Sequence, residues 1–213
     1  MIHPTSGPSR SARAGAALIG VGIVQFSAAM AVVQAGYPHY SDLTNFISDL
    51  GNTATSPWHV VFNVSIILLG VLAFVGILLA WGGFPPGATR VVGLFLLLVA
   101  SLGAIFVGLF PENVNPTVHG LASLAVFAPG GAALLVLAAG MGPATSWRWL
   151  RGPSTVLGLI TLVSLAYYIP SQANYPGFVE RLIVFPILIW GILAAVQLGR
   201  HAWARTAVRV APT

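Results

Sequence analysis

The chain has 213 residues, 57% of them hydrophobic and 6% charged, with a net charge of +5 and a mean hydropathy of +0.90. A water-soluble domain carries about 25% charged residues, so this composition excludes a conventional soluble fold and leaves one helical membrane domain. The absence of cysteine excludes disulfides, thiol nucleophiles and thiolate metal sites. The nine basic residues, all arginine, are scattered over several loops rather than along one stripe, which excludes a nucleic-acid surface.

Residues 1–13 are rich in Pro, Ser and Gly and read as a flexible tail. The apolar run 14–36 exceeds the roughly 20 residues that cross a bilayer. Its apolar core is longer than the h-region of a cleaved signal peptide, so a retained helix is expected. Residues 37–63 then form the longest polar interval of the chain. Within it Asp42, Asn45 and Asp49 recur at helical spacing, as do Ser41, Asn45 and Ser48. A helix over 41–50 would gather them on one face and leave Leu43, Phe46, Ile47 and Leu50 to cover the rest. A solvated loop capped by Ser41 or Asp42 is the other reading of the same pattern. A short amphipathic segment between helices 1 and 2 is expected either way.

Five further spans are predicted at about 58–81, 91–110, 119–141, 153–171 and 180–200. The short connections between them contain Pro85, Pro86, Pro111, Pro116, Pro143 and Pro176, residues that stop helices. The expectation is an all-α polytopic protein whose six-helix transmembrane domain covers 14–200, with a second tail at 201–213. Eight of the nine arginines fall on the side of the termini, and only Arg181 falls on the other. The positive-inside rule then predicts a multi-pass plasma-membrane protein with both termini cytoplasmic. All four acids, Asp42, Asp49, Glu112 and Glu180, fall on the opposite, outer face.

That face carries the candidate chemistry. Span two opens on Trp58 and His59, with Asn63 one turn deeper on the same face. A polar side chain at that depth must meet protein or a wet cavity. Glu112 follows span three, His119 opens span four, Glu180 and Arg181 open span six, and Tyr167 and Tyr168 close span five. If spans two, three, four and six line one mouth, these groups converge. Glu112, at the edge of the hydrocarbon, is the best-placed proton donor, followed by Asp49, with His119 as their partner in acid–base work. No cofactor is expected. Were a divalent metal held instead, His59 and His119 with Asp49 or Glu112 would be its ligands, although no H-x-x-x-H or H-E-x-x-H spacing occurs. The chain contains no nucleophile elbow, phosphate-cradling glycine loop or dinucleotide fingerprint. It has no ionisable group at mid-membrane of the kind coupled transport uses.

Two stretches carry a family resemblance. F-I-S-D-L-G-N-T-A-T-S-P-W-H-V-V-F-N at 46–63 resembles the I-S-D-x-G motif, polar gap, Pro and Phe of the six-helix damage-regulated autophagy modulator (DRAM) and Frag-type membrane proteins. G-L-F-P-E-N-V-N-P-T-V-H-G-L-A-S-L-A-V-F at 108–127 resembles their F…H-x-x-x-A pattern. The matched positions are Ser48, Asp49, Gly51, Pro57, Phe62, His119 and Phe127. His59 stands near the place where the eukaryotic branch tends to carry an acid. The resemblance implies a six-span fold and a lipid-linked role.

The functional expectation is an intramembrane enzyme acting on a membrane lipid or prenylated small molecule in an outward-facing polar pocket. Asp49, Glu112 and His119 would be catalytic. Asp42, Asn45, Ser48, Trp58, His59, Asn63, Tyr167, Tyr168, Glu180 and Arg181 would contact substrate. Two reactions fit: terpenoid-type cyclisation begun by protonation, with Trp58, Tyr167 and Tyr168 facing cationic intermediates, or lipid hydrolysis or transfer. A non-enzymatic lipid-binding or scaffolding protein is the alternative, its polar mouth a hydrogen-bond network.

Overall fold

A computed structural model describes residues 10–168 and 175–209, with side chains described to residue 200. The rest of the expected N-terminal tail, the end of the C-terminal one, and residues 169–174 between spans five and six lie outside the described residues. Within them the chain is helical, without strands, and six helices are long and apolar enough to cross a membrane. They are α1 (Arg10–Ala35), α2 (His59–Ala80), α3 (Ala88–Leu109), α4 (Pro116–Gly140), α5 (Arg151–Tyr168) and α6 (Pro176–Arg209). This is a multi-pass membrane protein. The expected spans are all present; α1 starts at Arg10, within the expected first tail, and α6 runs on to Arg209, within the expected second one. The expected end of span five at 171 lies outside the described residues. Pro116 and Pro176, expected in the connections, instead begin α4 and α6, where a missing N–H costs nothing and the fixed φ suits the first turn.

Short connections make successive helices antiparallel neighbours, and α6 returns to pack on α1, closing the ring. Close approach depends on small residues, as expected where lipid offers no hydrophobic force between helices. Gly15 of α1 and Gly76 of α2 face one another so tightly that a Cβ on Gly15 would lie 2.4 Å from the Gly76 carbonyl oxygen. One core fills the half of the bundle near the termini. It includes Phe84, stacked on Trp147 at 4.7 Å between ring centroids, and Trp190. Trp190 donates to Ser154 Oγ (2.8 Å), and Trp149 donates to Gln197 (2.6 Å).

A second core at the opposite end is built differently. Phe26, Met30 and Val33 of α1 and Phe62 of α2 receive Ile47 and Leu50, which come from the α1–α2 connection. Leu50 is fully buried. The connection is therefore folded into the bundle end as a plug. The helix expected over 41–50 does not form: turns occupy most of it, and only Ser48–Gly51 makes one 3-10 turn. The reason is competition for backbone groups. The Phe46 N–H, which a helix would bond to the Asp42 carbonyl, goes to Asp49 Oδ2 (2.9 Å). The Asp42 and Asn45 carbonyls go to Arg181, and the Ile47 N–H goes to Glu180.

A matched pair of substitutions checks the packing. A Cβ at Gly20 meets nothing within 4 Å, so Gly20→Ala leaves the thermal midpoint in detergent unchanged or raises it, because alanine favours the helix. Gly15→Ala forces α1 from α2 and costs about 1–3 kcal/mol. Equal midpoints for the two variants would contradict the interface.

Candidate functional site

The acid-bearing end is organised by Arg181, 7% exposed one turn into α6. Its Nη1 donates to the carbonyls of Asp42 (3.0 Å), Asn45 (3.1 Å) and Gly177 (2.9 Å). Its Nη2 donates to the Tyr40 hydroxyl (2.8 Å) and to Asp42 Oδ1 (2.5 Å), and the guanidinium carbon lies 5.6 Å from the Tyr40 ring centroid. Residue 177 must be glycine for this contact, since a Cβ there would sit 2.1 Å from the Asn45 carbonyl oxygen. Tyr40 donates onward to the Phe46 carbonyl (2.7 Å). Burial, only partly offset by Arg181, pushes the Tyr40 phenol from 10 up to about 12, so it remains a donor under physiological conditions.

Clamped in this way, the connection offers two consecutive residues to two acids, and the third acid lies within the connection itself. Ile47 N–H bonds Glu180. Ser48 Oγ donates to Glu112 Oε2 (2.8 Å). Asp49 turns back on its own loop, accepting from Phe46 N and from Asn45 Nδ2 (3.1 Å). Gly51 and Leu50 complete the turn, and Asn63 Nδ2 donates to the Gly51 carbonyl (3.0 Å). Asn63, one turn into α2, thus ties that helix to the plug.

Beside the plug lies a cavity of about 400 Å³ between α4, α5 and α6, within the range of small-molecule sites. Ser48, Glu112, His119, Tyr168 and Glu180 line it, together with Ser123 and the aromatic rings of Phe46 and Phe127. His119 is buried, and its Nδ1 lies 2.9 Å from the Phe110 carbonyl oxygen. A carbonyl can only accept, so Nδ1 carries the proton and Nε2 of the neutral ring keeps its lone pair. The arrangement therefore combines two carboxyl groups with an imidazole whose tautomer is set from behind, which is equipment for moving a proton.

Ser48, His119, Ser123, Phe127 and Glu180 also line a narrower void of about 70 Å³ further in. That void shares Leu69, Ala104, Val126, Ile187 and Leu188 with an apolar one of about 110 Å³. The polar cavity, the narrower void and the apolar one thus adjoin in turn through shared walls, marking an apolar passage into the bundle interior.

The expected site residues thus divide. Glu112, His119, Ser48, Tyr168 and Glu180 meet in the cavity. Asp49, Asn45, Asp42, Asn63 and Arg181 fold and anchor the plug. Trp58 (50% exposed) and Tyr167 (55% exposed) lie on the surface. Trp58 covers Gly36, where a Cβ would meet its indole nitrogen at 2.9 Å, and Tyr167 borders a separate groove with Tyr175 and Phe178. His59 bonds the Ser56 carbonyl within its own turn (2.9 Å) and does not line the cavity. Among the described residues no three His, Asp or Glu side chains form a metal-holding group, so the set of His59, His119 and Asp49 or Glu112 is not assembled. Phe46 and Phe127 were absent from the expected set. Phe127 could have been found from its position two turns below His119, on the same face of α4.

Two predictions follow from the clamp. Arg181→Met keeps the volume but strands the loop acceptors, costing on the order of 3 kcal/mol and speeding proteolysis within 37–58. Unchanged cleavage would contradict the anchoring. The raised Tyr40 value means the folded state holds the phenolic proton more tightly, so its contribution is complete below pH 10 and lost as pH climbs towards 12. The difference in thermal midpoint between wild type and Tyr40→Phe should therefore shrink across that interval, and a constant difference would contradict it.

Neither a curated protein nor a solved structure matches the chain. Residues 7–197 match a family described as "Protein of unknown function (DUF998)", and the chain belongs to that family.

Proposed function

We propose that this protein is an intramembrane enzyme performing acid–base chemistry on a lipid or isoprenoid. The head of the substrate occupies the acidic cavity and its tail enters the apolar passage. The observation that carries this reading is the junction of the two environments: Glu112, Glu180 and His119 around about 400 Å³, adjoined by a narrower void that shares four of the polar residues and then by one lined almost wholly by apolar side chains. An amphiphile fits such a junction, because its apolar part gains burial while its polar part keeps hydrogen-bond partners.

A carboxyl group of Glu112 or Glu180 serves as proton donor, and His119 Nε2 as acceptor. Of the two reaction forms, protonation-initiated cyclisation is favoured over hydrolysis of a phosphoester, because no lysine or arginine among the described residues lines the cavity to hold a phosphate. Tyr168, Phe46 and Phe127 offer ring faces to a positive intermediate. The I-S-D-x-G and His119 motifs, similar to those of the DRAM and Frag-type proteins, support a lipid-linked role. The arginine distribution supports a plasma-membrane protein with cytoplasmic termini and an outward-facing cavity.

A second reading, a lipid-binding or scaffolding protein without turnover, is favoured by one observation. Glu112 and Glu180 each hold the plug, through Ser48 and the Ile47 N–H. The two readings separate in one experiment. Purified, monodisperse protein is incubated with lipid extract and polyprenyl substrates, and products are followed by mass spectrometry. The enzyme reading predicts turnover that falls at least about 100-fold in Glu112→Gln and in His119→Ala. Lipid retained by wild type without any product would favour the second reading.

A further inference from the structure

Among the described residues, no lysine or arginine lines the acidic cavity. Arg181 is ion-paired with Asp42 and also donates to the carbonyls of Asp42, Asn45 and Gly177 and to the Tyr40 hydroxyl. Glu112 and Glu180 receive only neutral donors, a serine hydroxyl and a backbone N–H. His119, 7% exposed, commits its Nδ1 to the Phe110 carbonyl, which leaves Nε2 for the cavity. The remaining walls include three rings, with Phe46 and Tyr168 edge-to-face at 6.1 Å. A half-buried carboxylate without a cation is costly, and acceptors interleaved with ring faces are the chemistry that recognises an ammonium group.

We infer that this cavity selects amphiphiles whose head ends in a positively charged group, the ammonium of a long-chain amine or aminolipid, and discriminates against those headed by an anionic phosphate without an amine. The inference rests on the proposal that an amphiphile occupies the cavity, and adds the sign of its head. Ammonium N–H groups donate to Glu112, Glu180 and His119, the rings of Phe46, Phe127 and Tyr168 flank the charge, and the alkyl tail follows the apolar passage. A phosphate in the same place would meet two acidic side chains and, among the described residues, no lysine or arginine.

The test uses full-length protein in an uncharged maltoside detergent, titrated with tetradecylamine and tetradecyl phosphate, which share a tail and differ in head. Binding is read by native mass spectrometry and by the shift in thermal midpoint. The amine is expected to bind at least tenfold more tightly than the phosphate. Glu112→Gln/Glu180→Gln should abolish that preference, and Phe127→Leu, which keeps apolar bulk without a ring, should weaken amine binding severalfold. If the double variant fails to fold, the Phe127 variant and the wild-type head-group ratio still decide.

Equal binding of the two heads, or tighter binding of the phosphate, overturns the charge preference and leaves the amphiphile reading standing. Binding of neither overturns both. Competition by phosphatidylethanolamine but not phosphatidylglycerol assigns the head to an aminophospholipid, whereas competition by neither assigns it to a free long-chain amine.

Discussion

A guanidinium group cannot be buried at a helix end without partners for its donors. Arg181 finds most of them in the connection between α1 and α2. This constraint decides the shape of the acid-bearing end. It removes carbonyls that a helix over 41–50 would need, holds that stretch in turns, and seats Ile47 and Leu50 among Phe26, Val33 and Phe62. With the plug in place, residues 47 and 48 stand within reach of Glu180 and Glu112, and the cavity acquires its fourth wall. The lone arginine on the acidic side is thus a structural clamp, with its charge met by Asp42 rather than left for a ligand.

Seen from that clamp, the short motif Ile47-Ser48-Asp49-Leu50-Gly51 has a physical meaning at each position. The isoleucine and leucine anchor the plug in apolar surroundings, the serine hydroxyl engages one acid, and the aspartate closes the turn on Phe46 and Asn45. Gly51 lets Asn63 of α2 reach the backbone. Function and fold are coupled here: the groups proposed to move protons also hold the element that encloses them. Substitutions of Glu112 or Glu180 therefore touch both, and measurements of turnover need stability measured beside them.

Much of this was legible in the sequence and some was not, for identifiable reasons. Six apolar runs broken by Pro and Gly specify the helices, since no other backbone arrangement of that composition satisfies its hydrogen bonds in lipid. The gathering of acids in alternate connections pointed to one end of the bundle, and Glu112, His119 and Glu180 meet there. Rotation about each helix axis was harder to read. A span apolar on all sides carries little periodic signal, so Phe127 on the cavity wall and Tyr167 on the surface looked alike. Local competition was also hidden: the spacing of Asp42, Asn45 and Asp49 suits a helix, and the distant Arg181 and Glu180, with the Asp49 side chain, tip the backbone towards turns. His59 and His119 illustrate the same limit, since each opens a helix, and burial against Phe110 distinguishes the second.

The central claim is that an amphiphile lies with its head at Glu112, His119 and Glu180 and its tail in the bundle interior. Photo-crosslinking with a long-chain amphiphile carrying a diazirine in mid-tail tests it most directly, with labelled residues identified by peptide mass spectrometry. The account predicts labels on inward-facing Ala104, Ile187 or Leu188, removed by excess unlabelled amphiphile. Labels confined to outward-facing positions such as Val163 or Leu121, insensitive to competitor, would contradict it.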